Sequence, residues 1–372
     1  MLQPSAPYHS LYLHVPFCKN ICDYCDLYSI VDNENSSRVA YLNKIEQELQ
    51  LNKANLLGLK SIFVGGGTPS QLTPHEMKAF FKSVNTFSAI ESEGEFTVEC
   101  NPVSITKEKL QILKDAGVNR LSFGAQSTTR KTRNSLGRRT SRNQLEKALS
   151  EAIGCGFQNI NIDLIYAVPG QSVEDWKEDL ETALSYDLPH YSAYSLILEE
   201  NTEISKRFES VDDDMAVDMY DLTEEILSTR ELQRYEISNY AKAGKECRHN
   251  YDIWKGATYL GIGPAATSFN GKFRWTQIRD LKKWLDGHDP EIDQIPLKDR
   301  LGEIISFGFR TIRGWKINEL KNLLNHNSLE LFSEVFEKLI AENLIENSSH
   351  SYKPTKQGLL FADYIAESFI FS

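Results

Sequence analysis

The sequence predicts a mixed α/β fold in which helices cover a parallel sheet that closes into a partial β/α barrel. Short apolar or β-branched runs alternate with stretches of helical periodicity along the first three quarters of the chain. Six such strand–helix units follow one another, which is the pattern of consecutive parallel strands. After about Leu285 the alternation stops, and short helices with one small hairpin predict a smaller, mainly helical C-terminal domain.

Each predicted strand is a short apolar run that is followed by a polar or glycine-rich segment. We place the strands near Ser10–Val15, Ser61–Val64, Phe96–Glu99, Arg120–Phe123, Asn159–Ile165 and His190–Ser195. The clearest helical patterns between them are Thr106–Ala116, Asn143–Ile153 and Val173–Tyr186. In barrels of this kind the chemistry collects at the carboxyl ends of the strands.

Three regions follow from this pattern. We expect the barrel over 1–240, a connecting segment over 241–290 and the C-terminal domain over 291–372. The last region resembles a winged-helix module, which is more often a DNA binder than not. Residues 297–372 carry nine Lys or Arg against ten Asp or Glu, however, and lack a basic stripe. We therefore interpret this domain as a lid or a substrate-contact domain.

Composition excludes several classes of protein. With 41% hydrophobic and 25% charged residues, the 372-residue chain is not disordered, coiled-coil or collagen-like. A net charge of −11 gives no general attraction to nucleic acid or anionic membranes. No apolar run approaches the roughly 20 residues of a membrane span. The segment 1–10 has no secretion signal, so a cytoplasmic location is expected.

Three of the six cysteines, Cys18, Cys22 and Cys25, fall within eight residues. A disulfide framework is not expected in a reducing compartment. Structural zinc sites usually have four ligands that come in pairs, and the chain has no second pair of closely spaced cysteines elsewhere. Three thiolates suit an iron–sulfur cluster with one open iron. We favour the cluster, with zinc or a chance grouping as the alternatives.

The segment Cys18–Cys25 (CKNICDYC) resembles the signature of the radical S-adenosylmethionine (SAM) superfamily. The resemblance implies a partial (β/α)6 barrel and a 4Fe–4S cluster whose unique iron chelates the amino and carboxylate groups of SAM. Reductive cleavage would then give methionine and a 5′-deoxyadenosyl radical inside a dry pocket. Tyr24 is predicted to pack against SAM, the alternative being an ordinary half-buried tyrosine.

Further candidates follow the predicted strands. Glycines in Gly65–Pro69 (GGGTP) let a ligand approach the backbone, or form only a tight turn. The resemblance implies that Gly66, Gly67 and Thr68 meet the amino group of SAM. Glu99 ends the next strand and can bind a ribose diol or an ammonium group, or be a solvated loop acid.

Asp163 lies inside an apolar strand, where a carboxylate needs a partner. Arg138 is predicted to bind Asp163 or the carboxylate of SAM. The spacing of Gln126, Arg138 and Asp163 resembles the cofactor contacts of the family, and Tyr12 resembles another. The basic run 130–142 is either a solvated helix face or a patch for acidic groups such as tetrapyrrole propionates.

Several segments resemble the branch that contains oxygen-independent coproporphyrinogen III oxidase and a haem-chaperone group. They are Tyr12–Cys18 (YLHVPFC), Gly65–Ser70 (GGGTPS), Arg120–Ser127 (RLSFGAQS) and Asp163–Tyr166 (DLIY). The oxidase has a further cysteine two residues after its last cluster ligand, whereas Asp26 and Leu27 follow Cys25 here. Cys247–Trp254 (CRHNYDIW) resembles the His-Asn-x-x-Tyr-Trp motif of the chaperone group, and His249 is therefore a candidate axial haem ligand. Ile253, Thr140 and Thr267 depart from the pattern of many relatives.

The resemblance implies a cytoplasmic haem chaperone that binds the cluster, SAM and haem and delivers haem to respiratory haemoproteins. It also implies a reductant such as flavodoxin or ferredoxin, a homodimer, and a transient contact with a membrane protein. We expect no nucleic-acid partner and no coproporphyrinogen oxidase activity. The alternatives are that oxidase, which decarboxylates propionates with a 5′-deoxyadenosyl radical, and a radical SAM enzyme that modifies RNA.

Overall fold

A computed structural model describes residues 6–31 and 35–370 of the chain. The first five residues of the segment 1–10, for which no secretion signal is predicted, lie outside the described part. Strands and helices alternate through the first 200 residues. The strands are β1 (Ser10–Val15), β2 (Phe17–Cys18), β3 (Ile30–Val31), β4 (Leu57–Gly66), β5 (Ala89–Cys100), β6 (Arg120–Gln126), β7 (Asn159–Tyr166), β8 (His190–Ser195), β9 (Gln233–Arg234), β10 (Asn239–Ala241), β11 (Tyr259–Ile262), β12 (Thr267–Phe269), β13 (Arg274–Thr276), β14 (Glu291–Asp293), β15 (Trp315–Lys316), β16 (Ile345–Asn347) and β17 (Ser351–Pro354).

A parallel ladder forms the centre of the main sheet and confirms the predicted α/β class. Its order is β11-β1-β4-β5-β6-β7-β8, and each neighbouring pair is parallel. The six predicted strands are all present and adjacent, in chain order. Leu11 and Leu13 of β1 are fully buried. Ile162 of β7 is also fully buried, and Ile160 has an exposed fraction of 1%. The apolar runs of the sequence are therefore the strands of a covered parallel sheet.

Helices return the chain between the parallel strands. Capping boxes fix where three of them begin, at Thr73 with Glu76, Ser141 with Gln144, and Ser172 with Asp175. Among the described residues no helix is long and apolar enough to cross a bilayer. The helices are α1 (Asn35–Asn52), α2 (Pro74–Phe87), α3 (Lys107–Asp115), α4 (Arg130–Ser135), α5 (Arg142–Gly154), α6 (Val173–Leu184), α7 (Asp213–Ser228), α8 (Arg248–Trp254), α9 (Leu281–Leu285), α10 (Leu297–Gly308), α11 (Ile317–Lys321), α12 (Ser328–Leu331), α13 (Ser333–Ala341), α14 (Lys356–Leu360) and α15 (Ala362–Ile370).

Short strands that the periodicity did not predict extend the sheet at both ends. β10 and β9 pair antiparallel beyond β8, and β12, β13 and β14 pair antiparallel beyond β11. All five of these strands have three residues or fewer, too short for an alternating pattern to be visible. The region 241–290 thus contributes strands to the main sheet. The boundaries at 240 and 290 stay predictions.

The C-terminal region packs helices around a three-stranded sheet with the order β15-β17-β16. The predicted hairpin is β16 and β17, and the helices α14 and α15 follow it. Its core includes Trp315, Phe336 and Phe369, and Phe269 of β12 packs into the same cluster. A strand of the main sheet, β12, therefore shares a hydrophobic core with the C-terminal helices.

Gly302 of α10 permits the close approach of α15. A Cβ at this position would lie 2.2 Å from the carbonyl oxygen of Phe369, a backbone atom that cannot rotate away. We expect Gly302→Ala to destabilise the protein by about 2 kcal/mol, a typical cost of overpacking. Thermal and urea unfolding measure this change.

Gly154→Ala is the matched control, because Gly154 also belongs to a helix, α5, and nothing lies within 4 Å of its added Cβ. Alanine there should be neutral or stabilising by up to about 1 kcal/mol. Equal stability of the two variants would show that α10 and α15 do not pack as described.

Candidate functional site

A cavity of about 890 Å³ opens at the carboxyl ends of the parallel strands. Loops after β2, β4, β5, β6 and β8 and the end of β7 reach it, because parallel strands deliver their carboxyl ends and following loops to one rim. Of the thirteen residues predicted from the sequence, only Tyr12 and His249 are absent from its lining. The other eleven surround it: Cys18, Cys22, Tyr24, Cys25, Gly66, Gly67, Thr68, Glu99, Gln126, Arg138 and Asp163.

The three clustered cysteines lie half-buried on one wall. Cys18 Sγ is 3.4 Å from Thr68 Oγ1, and Arg138 Nη1 donates to Cys22 Sγ at 3.4 Å. Burial raises the pKa of the Cys25 thiol to about 11 and also raises that of Cys18. Within 6–31 and 35–370, no three His, Cys, Asp or Glu side chains converge tightly enough to hold a single metal ion.

Contacts on several sides hold the cysteine loop in place. The Asp23 N–H donates to Leu136 O at 3.2 Å, and Asp23 O accepts from the Ile204 N–H at 2.8 Å. Arg207 Nη2 binds the Asp23 carboxylate at 2.8 Å. Arg279 forms a 3.6 Å ion pair with Asp26. The loop is thus fixed by parts of the chain that lie far away in sequence.

The glycine loop after β4 forms a backbone cradle. Gly66 has φ +108°, and a Cβ there would lie 2.6 Å from the ring of His14. A Cβ on Gly67 would lie 2.8 Å from the backbone carbonyl carbon of Pro16. Side chains are therefore excluded by sterics at both positions. The Gly66 N–H donates to Glu99 Oε2 at 3.1 Å, which joins the loop to the acid after β5.

Two carboxylic acids lie on the cavity floor. Burial and, to a smaller extent, the nearby Asp163 raise the pKa of Glu99 to about 8, against the lowering effect of the hydrogen bond from Gly66. Burial also raises the pKa of Asp163. Asp163 accepts from Ser122 Oγ at 3.1 Å and from Asn161 Nδ2 at 2.8 Å. A cation that enters the cavity would favour ionisation of both acids.

Arg138 does not pair with Asp163, which was one of its two predicted partners. Its guanidinium donates to Gly124 O and to Cys22 Sγ, and its Nε is buried without a hydrogen-bond partner. Gln126 sits beside it with φ +71°, a conformation that is costly for a residue with a Cβ. The register shift between β6 and β7 at this point turns the strand end toward the cavity.

These residues fit the two groups that the sequence motif implies. Three soft thiols on one wall match the ligands of an iron–sulfur cluster. Gly66 and Gly67 line the cavity without side chains, so a small ligand can approach their backbone. The orphaned Nε of Arg138 and the acid Glu99 supply opposite charges for a zwitterion such as an amino acid.

Polar side chains that the sequence analysis missed continue from Asp163 into the barrel. Asn161 lies on the same face of β7, since strand side chains alternate with period two. Its Oδ1 accepts from His190 Nδ1 at 2.6 Å, and His190 Nε2 lies 2.9 Å from the Tyr235 hydroxyl. That hydroxyl accepts from the Cys247 N–H at 3.2 Å. The i and i+2 spacing of Asn161 and Asp163 is the signal that could have found Asn161.

This chain of hydrogen bonds ends at the predicted haem ligand. Buried Glu95 accepts from the N–H groups of Arg248 at 3.0 Å and His249 at 3.2 Å, and so anchors α8. His249 Nδ1 lies 2.8 Å from Ser61 Oγ, and its ring packs against Phe63. Only 3% of His249 is exposed. Burial lowers its pKa to about 3, with His9 and Arg120 adding to the effect.

Tyr12 occupies a similar place below the cavity. Its hydroxyl lies 3.1 Å from His14 Nδ1, and its ring packs against Phe63. Neither Tyr12 nor His249 lines the cavity; Tyr12 is half-buried and His249 is buried. Both assignments stay predictions.

Comparisons with known proteins agree with this geometry. The sequence profile of the radical SAM superfamily matches residues 12–183. The chain is 33% identical to "Heme chaperone HemW" of Bacillus subtilis strain 168, over 97% of this chain and 99% of that protein. It is 30% identical to "Heme chaperone HemW" of Escherichia coli K12, over 97% and 98%. The solved structure of coproporphyrinogen III oxidase (HemN) from Escherichia coli matches with a TM-score of 0.85 at 20% identity, covering 98% of this chain and 90% of that one. This last likeness concerns the fold.

Glu99→Gln should flatten the pH dependence of stability. The pKa of Glu99 in the fold, about 8, lies above the ordinary value of 4.5. Its contribution is therefore fully present below about pH 4.5 and is lost as the pH rises through 8. Relative to the variant, the unmodified protein should lose about 1 kcal/mol or more between pH 5 and pH 8. Urea unfolding at a series of pH values measures this difference.

The control is Glu337→Gln, which changes an exposed acid on α13 and should leave the pH profile unchanged. A decline with rising pH that persists undiminished in Glu99→Gln would assign the effect to other groups.

His249→Ala tests whether His249 is a haem ligand or a packing residue. We expect it to lower stability by about 2–4 kcal/mol, since it removes a buried ring and leaves Ser61 without that partner. Haem affinity, measured by absorbance titration, should stay within about twofold of the unmodified protein. His75→Ala removes an exposed histidine and is the control. A large loss of haem affinity at unchanged stability would establish the ligand instead.

Proposed function

The chain belongs to the HemW haem-chaperone family of the radical SAM superfamily, and on this premise we propose that it binds haem and delivers it to acceptor haemoproteins. One observation carries the proposal. Relatives named as haem chaperones match this chain from end to end at 30–33% identity. The oxidase HemN shares the fold of this chain at 20% sequence identity. Similarity at this level supports a common fold but does not support a common activity. The two residues that follow Cys25 are Asp26 and Leu27, so the further cysteine of the oxidase pattern is also missing here.

Cys18, Cys22 and Cys25 would hold a 4Fe–4S cluster, with SAM beside it. When bound, the cluster supplies the electron for reductive cleavage of the SAM sulfonium. The chain's own residues would bind and orient the cofactor. Gly66, Gly67, Thr68 and Glu99 would receive the ammonium group, and Arg138 would receive the carboxylate through its unpartnered Nε. Gln126, Asp163 and Tyr24 would complete the wall around the nucleoside.

The proposal includes partners and a location. A reductant such as flavodoxin or ferredoxin would serve the cluster, and respiratory haemoproteins would accept the haem in the cytoplasm or through a transient contact with a membrane protein. A homodimer would be supported by the cluster. No nucleic-acid partner is proposed, because the net charge is −11.

Cys22→Ala should lower the bound iron and sulfide to well below half of the value for the unmodified protein after anaerobic reconstitution, because one of three thiolate ligands is lost. SAM binding, measured by equilibrium dialysis, should fall with it. Cys155→Ala is the matched control, since Cys155 is also half-buried but lies outside the cavity. Full iron content in Cys22→Ala would exclude the proposed ligand set.

The function itself is tested on cluster-reconstituted protein. Haem addition should give a Soret band, and mixing with an apo-haemoprotein should move that band to the acceptor. The same sample, given SAM, dithionite and coproporphyrinogen III without oxygen, should form no decarboxylated porphyrinogen. Stoichiometric decarboxylation would make the protein an oxidase, and the absence of a Soret change would exclude the chaperone.

A further inference from the structure

Large apolar side chains remain exposed around the mouth of the cavity. We call the following four residues the apolar rim: Ile21 (48% exposed), Leu27 (57%), Val103 (41%) and Ile197 (69%). All four line the same cavity, although they come from the loops after β2, β5 and β8. Separate loops have thus brought exposed apolar groups to one opening. An apolar surface grouped around a cavity marks a place where a ligand or a partner binds.

Basic side chains flank this rim on the side of the cysteine loop. Lys19 and Arg139 both line the cavity and are exposed. Arg139 Nη1 donates to Asn20 Oδ1 at 3.1 Å, which holds the guanidinium next to the loop. Within the described part of the chain Lys19 has no ion-pair partner. Asp26 on the same loop is paired with Arg279, and the acid Glu199 also lines the cavity, two residues after Ile197.

The lining of the cavity contains no histidine among the described residues. A tetrapyrrole at this mouth would therefore be held by apolar contact and by its carboxylates rather than by an imidazole–iron bond. Binding without a strong axial bond suits a ligand that has to be released to another protein. The floor of the cavity, with the cysteines, the glycine cradle and Glu99, is left to the cluster and SAM.

We propose that haem binds across the mouth of the cavity, with its ring on the apolar rim and its propionates at Lys19 and Arg139. This inference rests on the proposed function and specifies where its ligand lies. The ring would cover Ile21, Leu27, Val103 and Ile197, and burial of their exposed surface would stabilise the complex. The two basic groups are on one side, as two propionates on one edge of a planar ring require. Haem would then leave from the face that an acceptor can reach.

The test is haem titration of cluster-reconstituted protein, followed through the Soret band. Ile197→Asp should raise the haem Kd about tenfold or more, because it places a carboxylate against the apolar ring. Lys19→Glu should raise it about threefold to tenfold, with a weaker effect at high salt, because it replaces an attraction to a propionate by a repulsion.

Matched controls carry the same substitutions outside the site. Leu51→Asp changes an exposed apolar residue on α1, and Lys78→Glu changes an exposed lysine on α2. Both should stay within about twofold of the unmodified protein. Iron content and SAM affinity should be unchanged in all four variants, which shows that the floor of the cavity is intact.

Unchanged haem affinity in both Ile197→Asp and Lys19→Glu, with normal binding by the unmodified protein, would show that haem does not bind at the mouth of the cavity. The same conclusion follows if these two variants change only the sedimentation of the protein, since this surface would then be an interface with another protein chain. Loss of haem affinity in His249→Ala alone would move the site to α8. A lack of haem binding by the unmodified protein would instead refute the proposed function.

Discussion

Seven adjacent strands run in the same direction, from β11 through β1 to β8, and all of them end at one rim. A parallel ladder requires the chain to return over the outside after every strand, so each following loop starts at that rim. The cysteine loop, the glycine cradle, Glu99 and Asp163 are distant in sequence and meet for this reason. The contents of the cavity therefore depend on the ladder more than on any single contact.

A line of polar side chains inside the barrel is joined by hydrogen bonds. The line from Asp163 through Asn161, His190 and Tyr235 to Cys247 replaces the water that these groups would lose on burial. With Asn161 Oδ1 as the acceptor, His190 carries its proton on Nδ1 and accepts from Tyr235 at Nε2. A neutral imidazole fits the strong lowering of its pKa by burial. Polar residues inside the sheet thus connect the floor of the cavity to α8 without a buried unpaired histidine charge.

The segment around His249 joins the barrel to the C-terminal region. Glu95 holds the start of α8, while Arg310 and Arg313 of the C-terminal region lie over the rings of Trp254 and Tyr251. Lys255 just after α8 binds Glu319 at 3.0 Å. The aromatic residues of this motif therefore pack at the junction of the two regions. A motif at such a junction is constrained by packing whatever its further role.

The sequence by itself determined the α/β class, the six central strands, the cysteine cluster and eleven residues of the cavity lining. These features are encoded locally, by apolar runs, by cysteine spacing and by polar residues at strand ends. The short edge strands, the partners of Arg138 and the place of His249 were decided only by the tertiary structure. A strand of two or three residues is too short to show a periodic pattern. The hydrogen-bond acceptors of Arg138 come from two distant parts of the chain, the cysteine loop and β6. His249 follows a motif that suggested a ligand, but the ladder places Ser61, Glu95 and Phe63 around it, and burial by distant residues is a property that no local pattern contains.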